Sequence, residues 1–416
     1  MSIKAPALFA ALLFTAAAPL PALAQTKPAA AAAQPKLTPS KESVPTLAAL
    51  QKAVNEGKNA EVPALLAAAL TAAKTNVDRY FAHQLSIKPS LALKNDAMTL
   101  TALEGMIASG IPQGSDLGNL AFNAAKLQYN KGSADTAATA RAATLIEQAI
   151  ALDPGNGDHH VILGEVRNRQ KRFPEAVAAL QKSISLNEAA GKPIDQRVAD
   201  RALAFAWNNK LPAARELSFA QLKRTPNPKT WRTALKIYES TSGLNAADKV
   251  DLWRLQRLTK SLEGEGDYFV YVDALMSRGL PGEAKAVLDE GFAANVLSPT
   301  NSDWKAIAAS ANTRIAADRA SLTSGEKTAL AAATARPALN TGDAFLSYGD
   351  YAKAAALYRA ALRKTGVDAD LANLRLGIAL TRVGDKAGAA TAFTAVKGQR
   401  AGIAQMWLVY LQTPTA

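Results

Sequence analysis

The feature that most constrains this chain is a recurring series of small and large residues at fixed spacing. Gly164 lies twelve residues before Ala176, and Leu180 follows four residues later. The same series recurs near the C-terminal end, at Gly342, Ala354 and Tyr358 and again at Gly377, Ala389 and Phe393. A small residue lets two helices lie close together, and a large residue one turn later fills the space beside them. The series therefore predicts pairs of packed helices.

The distance between successive contact alanines gives the length of the repeated unit. These alanines are Ala142, Ala176, Ala214, Ala284, Ala354 and Ala389. Successive members are 34, 38, 70, 70 and 35 residues apart. Because 70 is twice the basic period, we expect a degenerate unit near Ala247 and another near Ala320. Gly349-Asp350 and Gly384-Asp385 predict tight turns between paired helices, since glycine supplies the left-handed backbone of such turns.

Composition favours an all-α fold. The chain is 49% hydrophobic but only 6% aromatic, and alanine carries much of the hydrophobic content. Alanine loses no side-chain entropy in a helix, and no long segment alternates apolar with polar residues as a strand would. The chain has no cysteine, so its stability must come from burial rather than from disulfides.

The series of glycine, alanine and large residues resembles the tetratricopeptide repeat. The resemblance covers residues 115–398 and is strongest over 140–190 and 340–398. Pro154 and Pro226 add to it, because each lies twelve residues after a contact alanine and ends the second helix of a pair. The resemblance implies a right-handed α-solenoid of tetratricopeptide-like helix pairs. It also implies that the first helices of successive pairs line a concave groove where a partner protein binds.

Residues 1–24 predict a signal peptide. A basic start precedes an apolar run of 14 residues, and Ala22-Leu23-Ala24 provides a small-x-small cleavage signature that would leave Gln25 as the mature N-terminus. The run is shorter than the ~20 residues that a membrane-spanning helix needs. We therefore expect a periplasmic or secreted protein with no stable membrane insertion after cleavage.

Three further segments flank or precede the repeats. Prolines set among small and polar residues predict a flexible tether over residues 25–46. Residues 47–114 predict degenerate helix pairs, with helices stopped at Pro89 and Gly110. Residues 399–416 predict a final helix and tail, in which the helix caps the exposed end of the solenoid.

The histidines do not form a metal-ligand pattern. Ligands on one helix face stand three or four residues apart, and those positions after His159 and His160 carry no ligand. His83 is isolated in the sequence. We expect neither a metal site nor a cofactor.

Two short matches to serine-hydrolase motifs have helical explanations. Ser324 to Lys327 forms S-x-x-K, but Thr323 and Glu326 fit a capping box that opens a helix at 326–336. Lys364-Thr365-Gly366 forms K-T-G, but it fits the end of a helix. Nothing places a nucleophile beside a base and an orienting acid, so we expect no enzymatic activity.

The groove implied by the resemblance suggests one set of binding residues. On the clearest repeat the groove positions are Val161, Glu165, Asn168 and Arg169, and Arg382 is the analogous polar residue near the C-terminal end. Some family members clamp a partner's C-terminal carboxylates with a Lys and an Asn four residues apart. Val161 and Glu165 stand at those positions here, so this clamp is not expected.

Charge suggests a second set of binding residues. Between residues 160 and 260 there are 19 Lys and Arg against 9 Asp and Glu, and the whole chain has a net charge of +13. Such an excess of positive charge produces an electrostatic field that attracts anionic partners, although the same charge also keeps a protein soluble. Seven arginines are expected to form one continuous positive surface: Arg167, Arg169, Arg197, Arg201, Arg232, Arg254 and Arg257. The residues predicted to bind a partner are Glu165, Asn168, Arg169, Arg201, Arg232, Arg254, Arg257 and Arg382.

The sequence therefore favours a periplasmic scaffold for protein–protein interaction whose partner is acidic or otherwise anionic. Nucleic acid is not expected as the partner because of export. The alternative is an accessory factor that binds an anionic cell-envelope polymer or polysaccharide through its basic residues 160–260. Trp207, Trp231 and Trp253 lie among those basic residues, where aromatic side chains would suit a polymer or would simply pack in the core.

Overall fold

A computed structural model describes residues 37–413, which divide into two compact units. Residues 37–95 with 109–111 form the first unit, and residues 96–108 with 112–413 form the second. Across the described residues the regular structure comprises twenty α-helices, one 3-10 turn and an isolated bridge between Thr334 and Thr365. The all-α prediction is confirmed. The predicted signal peptide and the first part of the tether lie outside the described residues.

The first unit contains helices α1 (Val44–Asn55), α2 (Val62–Ala72) and α3 (Asn76–Ala92). The backbone nitrogen of Ser40 donates to Asp78 Oδ1 at 2.7 Å, and its hydroxyl donates to Oδ2 at 2.8 Å. Burial alone would raise the pKa of Asp78, but hydrogen bonds from Ser40, Thr75 and Lys74 outweigh it and hold this pKa well below its usual range. The buried carboxylate thus fixes the chain ahead of α1.

Two boundaries predicted for this region are wrong. The tether does not extend to residue 46, because Ser40 is anchored and α1 begins at Val44. Pro45 occupies the first turn of α1, where a missing backbone N–H breaks no hydrogen bond. Pro89 does not stop a helix but lies inside α3, where Leu93 still donates to its carbonyl at 2.9 Å.

The second unit begins with α4, so the predicted N-terminal region is divided between the two units rather than ending at residue 114. Its first eight helices are α4 (Asp96–Ala108), α5 (Gly114–Asn130), α6 (Thr136–Leu152), α7 (Gly157–Arg169), α8 (Phe173–Ala189), α9 (Gln196–Asn208), α10 (Ala213–Arg224) and α11 (Pro228–Thr241). The others are α12 (Ala246–Leu258), α13 (Gly264–Ser277), α14 (Pro281–Ala293), α15 (Ser302–Ala331), α16 (Ala335–Ser347), α17 (Tyr351–Ala361), α18 (Ala369–Val383), α19 (Lys386–Ala395) and α20 (Ala401–Gln412), with the 3-10 turn at Gly398–Arg400. Consecutive helices pack in pairs, such as α7 with α8 and α18 with α19.

The contacts within these pairs confirm the predicted repeat register. All six contact alanines are buried. A Cβ atom placed on Gly164 would lie 2.8 Å from Leu180, and one on Gly377 would lie 2.5 Å from the ring of Phe393. Only glycine fits at these crossings, because each large side chain fills the space that a Cβ atom would need. Gly384 ends α18 in the left-handed conformation, with φ of 93°, as its turn requires.

The middle of the chain departs from the repeat. A helix pair does occur near Ala247, but the unit expected near Ala320 is replaced by the single 30-residue helix α15. The capping box at Thr323 is also wrong, because α15 begins at Ser302 and continues through that position. Asn301 caps this helix by accepting from the backbone nitrogen of Asp303 at 2.8 Å. The segment is rich in alanine and contains no proline, so nothing in it ends the helix.

The C-terminal repeats pack back against α11 and α12. The Tyr238 hydroxyl donates to the Gln399 carbonyl at 3.0 Å, and Arg400 Nε donates to Asp248 Oδ1 at 2.6 Å. The final helix α20 therefore does not cap an exposed end; it packs inside the second unit against α12, α18 and α19. The reason is that α20 carries apolar side chains around much of its circumference, and these are buried: Ile403, Ala404, Met406, Trp407 and Val409.

Candidate binding cavity in the second unit

A cavity of ≈ 350 Å³ lies where the C-terminal repeats meet helices α12 to α15. Its basic side chains are Arg254, Arg257, Lys285, Arg319 and Arg382. Its aromatic side chains are Tyr271, Tyr348, Tyr351 and Trp407. Two carboxylates, Glu283 and Asp289, also reach its wall. Because these residues are drawn from helices as far apart in sequence as α12 and α20, the cavity exists only after the C-terminal repeats have packed back. We refer to it as the arginine cavity.

A network of buried ion pairs lies behind the arginine cavity, and two of its members, Arg254 and Glu283, line the cavity. Asp251 is fully buried and accepts from Arg254 Nη1 at 2.6 Å and from Arg375 Nε at 3.2 Å. Arg254 also donates to Glu283 Oε2 at 2.6 Å, and Arg375 donates to Asp343 Oδ2 at 2.5 Å. These bonds join α12 to α14, α16 and α18. Charges removed from water in this way remain compatible with folding only because each one has partners.

Two tyrosines complete the hydrogen bonding of this network. The Tyr271 hydroxyl donates to Glu283 Oε1 at 2.6 Å, and the Tyr358 hydroxyl donates to Asp343 Oδ1 at 2.8 Å. Burial and the adjacent carboxylates raise the pKa of both hydroxyls well above the usual value. Both phenols are therefore neutral donors at physiological pH.

Two carboxylates of the network, Asp251 and Glu283, are ionised at neutral pH because their pKa values are lowered. Burial alone would raise the pKa of Asp251, but the charges of Arg375 and Arg254 outweigh it and hold the pKa below its usual range. Burial would likewise raise the pKa of Glu283, but Arg254 and the hydrogen bond from Tyr271 keep it low. The charges of the network behind the arginine cavity thus have their partners within the protein itself.

The outer part of the arginine cavity differs, because two of its arginines have no carboxylate partner among the residues that the structure describes. The guanidinium carbon of Arg319 lies 4.8 Å from the ring centroid of Tyr348, and that of Arg382 lies 4.9 Å from the ring of Tyr351. Within residues 37–413 neither guanidinium forms an ion pair or a hydrogen bond. A ring beneath a guanidinium restrains its position but leaves the N–H groups at its edge available.

The remaining cations of the arginine cavity are paired. Arg257 donates to Glu290 at 2.8 and 2.5 Å, and Lys285 donates to Asp289 at 2.6 Å. Among the described residues, the unpaired positive charge at this cavity therefore belongs to Arg319 and Arg382. Arg319 stands on α15, and Arg382 stands in the last turn of α18.

Three of the eight residues predicted to bind a partner meet at this cavity: Arg254, Arg257 and Arg382. Arg254 was expected on a surface, and this is wrong, since it is only 7% exposed. Its acceptors explain the difference, because Glu283 lies outside the basic stretch and reaches Arg254 only through the packing of α14 on α12.

Of the four predicted residues in the first repeats, Glu165, Arg169 and Arg201 have partners within those repeats. Glu165 is buried, pairs with Arg201 and accepts from the Tyr129 hydroxyl at 3.2 Å. Arg169 lies 3.6 Å over the Tyr129 ring and donates to backbone carbonyls, including that of Gly132 at 3.3 Å. Asn168 is partly exposed. The polar side chains at these positions mainly connect α5, α7 and α9.

The prediction of a continuous positive surface is also wrong. Arg232 pairs with Glu263 at 2.8 Å and with Asp267, and exposed Arg197 pairs with Asp195 at 2.8 Å. Arg167 is buried between Glu147 and Glu175. A count over residues 160–260 missed several of these carboxylates, because they lie in neighbouring repeats beyond the ends of that window. The charge surplus is therefore largely neutralised where these seven arginines stand.

Sequence reasoning missed Arg319 and Tyr348. Arg319 lies in the segment that was expected to form a degenerate repeat, and nothing in the spacing indicated that α15 would run past this cavity. The aromatic residues considered for polymer binding are mostly structural, since Trp231 and Trp253 are buried. Trp207 alone of these three is exposed, at 41%.

The residues considered for catalysis or metal binding also have structural surroundings. Ser324 lies on the exposed side of α15, and its hydroxyl donates to the Ser321 carbonyl at 3.0 Å. Lys364 donates to the Leu330 carbonyl at 2.9 Å, beyond the end of α17. The ring of His159 is buried 4.8 Å from that of Phe122. Among the described residues no three His, Asp or Glu side chains converge as metal ligands, and no helix is both long and apolar enough to cross a membrane.

Comparison with known proteins identifies two repeat segments. A family model described as tetratricopeptide repeat matches residues 134–191 and 339–403. These matches coincide with the two segments where the sequence resemblance is strongest. No curated protein matches the chain.

Several solved structures match this chain at low sequence identity and low TM-score. The C-terminal part of a TPR repeat-containing protein from Cytophaga hutchinsonii is 13% identical, with 79% of this chain and 98% of that one covered at a TM-score of 0.32. Naa15/Naa10 bound to HypK is 14% identical, with 87% and 58% covered at a TM-score of 0.29. Yeast Tom70 is 11% identical, with 87% and 59% covered at a TM-score of 0.26. At these low scores the family model, rather than the structural neighbours, identifies the repeats.

Proposed function

Because residues 134–191 and 339–403 belong to the tetratricopeptide-repeat family, we propose that the chain is a protein-interaction scaffold that binds an acidic segment of a partner protein at the arginine cavity. The observation that carries this proposal is the pair of unpaired guanidinium groups, Arg319 and Arg382. The second repeat segment supplies Arg382 together with Tyr348 and Tyr351.

The chemistry of the cavity suits carboxylate side chains. A guanidinium binds a carboxylate through two parallel N–H donors, and such charge-assisted bonds are among the strongest hydrogen bonds in proteins. The tyrosine rings under Arg319 and Arg382 hold each cation in place, so less side-chain entropy is lost on binding. A volume of ≈ 350 Å³ accommodates a few side chains rather than a folded domain. An extended acidic segment therefore fits better than a globular surface.

The proposed role is binding without catalysis. The polar groups deepest in the arginine cavity, Arg254 and Glu283, are already paired with each other. The Tyr271 hydroxyl donates its hydrogen bond to Glu283, and its pKa is raised above the usual value. This phenol therefore does not serve as a base at neutral pH. These features support a site that holds a ligand by charge and shape.

Charge reversal at the outer part of the cavity tests this function. The double variant Arg319→Glu/Arg382→Glu should bind the acidic partner at least tenfold more weakly, because two charge-assisted contacts are replaced by repulsion. The partner is first captured from an envelope extract by the wild-type chain and then titrated against both proteins. Wild-type affinity should also fall as salt is raised, since the contacts are partly exposed.

A matched control changes the same number of charges elsewhere in the second unit. Arg336 and Arg363 are exposed and do not line the arginine cavity. The variant Arg336→Glu/Arg363→Glu should retain wild-type affinity for the captured protein. Equal affinities for wild type and the Arg319/Arg382 variant, or an equal loss in the control, would show that the partner does not bind at this cavity.

We also propose that the scaffold works in the periplasm or outside the cell. The support is the sequence of residues 1–24, where a basic start, a short apolar run and Ala22-Leu23-Ala24 precede Gln25. The intact mass of the chain recovered from a periplasmic fraction should correspond to an N-terminus at Gln25. Recovery of a species that still begins at Met1 from the membrane fraction would contradict export with cleavage.

A further inference from the structure

A second cavity, of ≈ 590 Å³, lies between α10, α11 and the beginning of α20. Like the arginine cavity, it exists because the C-terminal segment packs back. The Tyr238 hydroxyl bonds to the Gln399 carbonyl, and Gly402 lies directly against the Tyr238 ring with no room for a side chain. The side chains considered below are Arg215, Phe219, Lys223, Tyr238, Ser242 and Gln405. We refer to this space as the α10 cavity.

One face of α10 presents cations and an aromatic ring to the α10 cavity. Arg215, Phe219 and Lys223 are spaced four residues apart and so lie along one side of the helix. The Arg215 guanidinium carbon lies 4.8 Å from the Tyr238 ring centroid, and its Nη2 donates weakly to Thr241 Oγ1 at 3.4 Å. Lys223 Nζ lies 5.9 Å from the Phe219 ring. No ion pair holds either cation within the part of the chain that the structure describes.

The balance of charge in this cavity indicates one anionic group on the ligand. Arg215 and Lys223 contribute two positive charges, while Glu216 is the one carboxylate among the residues that line the α10 cavity. A net single positive charge inside a partly enclosed space favours a singly or doubly charged oxyanion. Arginine and lysine donors are those that recognise carboxylate and phosphate oxygens.

Neutral polar groups complete the wall. The Ser242 hydroxyl is buried and has no hydrogen-bond partner among the described residues. A buried hydroxyl without a partner carries a free-energy cost that a ligand hydrogen bond would remove. The Gln405 amide is exposed at the same wall and can both donate and accept. Hydroxyl and amide groups beside the cations match a ligand that carries several hydroxyls as well as its anionic group.

We propose that the α10 cavity binds an acidic sugar, meaning a hydroxyl-rich ring that carries one carboxylate or phosphate group. Arg215 and Lys223 hold the anionic group, Ser242 and Gln405 hydrogen-bond to hydroxyls, and the partly exposed Phe219 provides an apolar wall for the ring. The volume lies within the range of about 300–1,000 Å³ usual for small-molecule sites. This site is separate from the arginine cavity and does not depend on the proposed function there.

Calorimetric titration of the full chain tests the proposal with four defined probes: glucuronate, glucose 6-phosphate, glucose and inorganic phosphate. Glucuronate, glucose 6-phosphate or both should bind saturably, and the stronger of the two identifies the anionic group. Glucose should bind at least tenfold more weakly, because it lacks that group. Inorganic phosphate should also bind at least tenfold more weakly, because it lacks the ring and its hydroxyls.

Variants of α10 locate the binding. Lys223→Gln should weaken binding of the acidic sugar severalfold, and Arg215→Gln should weaken it at least tenfold. Arg224→Gln should leave the affinity unchanged. Arg224 is the matched control, since it is an exposed cation on the same helix that does not line the α10 cavity. Lys223 is itself exposed, so its replacement tests the site even if Arg215→Gln disturbs the contact with Tyr238.

Three results would overturn the proposal. The first is the absence of saturable binding of both acidic sugars to the wild-type chain. The second is inorganic phosphate binding as tightly as glucose 6-phosphate, which would mean an anion site without sugar recognition. The third is an equal loss of affinity in Lys223→Gln and Arg224→Gln. Sugar affinity should be unchanged in Arg319→Glu/Arg382→Glu, so failure of this proposal and failure of the proposed function are distinguishable.

Discussion

Replacement of Asp251 by asparagine is expected to lower the free energy of unfolding by about 3–5 kcal/mol. The carboxylate is fully buried and lies between Arg254 and Arg375, at 2.6 and 3.2 Å. Asparagine has nearly the same shape, so the change removes the charge and leaves two guanidinium groups short of a counter-charge. Chemical denaturation of the purified chain measures the effect. The control is Asp289→Asn, which removes an exposed partner of Lys285 and should cost below about 1 kcal/mol.

The same substitution should change how stability depends on pH. The pKa values of Asp251 and Glu283 are lowered by their arginine partners. Stability from such groups is present above the ordinary carboxylate pKa of about 4 and is lost as pH falls towards the folded-state values. The wild-type melting temperature should therefore drop on acidification below pH of about 4, and the drop should be smaller in Asp251→Asn. Identical stability of the Asp251 and Asp289 variants would show that the buried network is not needed for folding.

Replacement of Trp407 by alanine should have a similarly large effect, about 3–5 kcal/mol. The side chain is 1% exposed, its ring stacks on Phe393 with centroids 5.7 Å apart, and its indole N–H lies 3.4 Å from the Asp251 carbonyl. Removing it leaves a void at the junction between α20 and α12. Thermal and chemical denaturation measure the loss.

Trp207→Ala is the control, because it makes the same tryptophan-to-alanine change at an exposed position. Trp207 lies on α9 and is 41% exposed, so its truncation should cost below about 1 kcal/mol. Trp407 also lines the arginine cavity, and α20 forms one wall of the α10 cavity. Ligand affinity at both cavities should therefore fall in Trp407→Ala and remain unchanged in Trp207→Ala. Equal melting temperatures for the two variants would mean that α20 does not hold the C-terminal repeats in place.

The packing of α20 helps to form both cavities at which binding is proposed. An open series of repeats exposes its groove along its whole length, whereas here the contacts of Tyr238, Arg400 and Trp407 with residues some 150 positions away enclose two spaces. The buried ion pairs between α12 and α18 fix the relative positions of the helices around the first of them. The proposed binding at the cavities is therefore linked to the buried-charge network, because residues that stabilise the junction also shape the cavities.

The sequence by itself determined the helical class and the register of the repeats. Gly377, Ala389 and Phe393 show why, because their contacts join helices that are neighbours in the chain and their spacing is fixed by the geometry of one helix pair. The family match over 134–191 and 339–403 falls on the segments where this spacing is clearest. Contacts of short sequence separation leave a pattern that can be found in a single sequence.

Only the tertiary structure decided which charges remain unpaired and where the cavities lie. Arg254 was predicted on a surface, yet it is buried and pairs with Glu283 and Asp251. The helix packing that brings these groups together leaves no local spacing pattern in the sequence. Arg319 was overlooked, because the long helix that carries it follows no repeat signature. The count of basic residues could not anticipate these outcomes, since an ion pair depends on which side chain arrives from a neighbouring repeat. The return of α20 to α12 is a contact of the same kind, and it was decided by the apolar surface on both helices rather than by any spacing in the sequence.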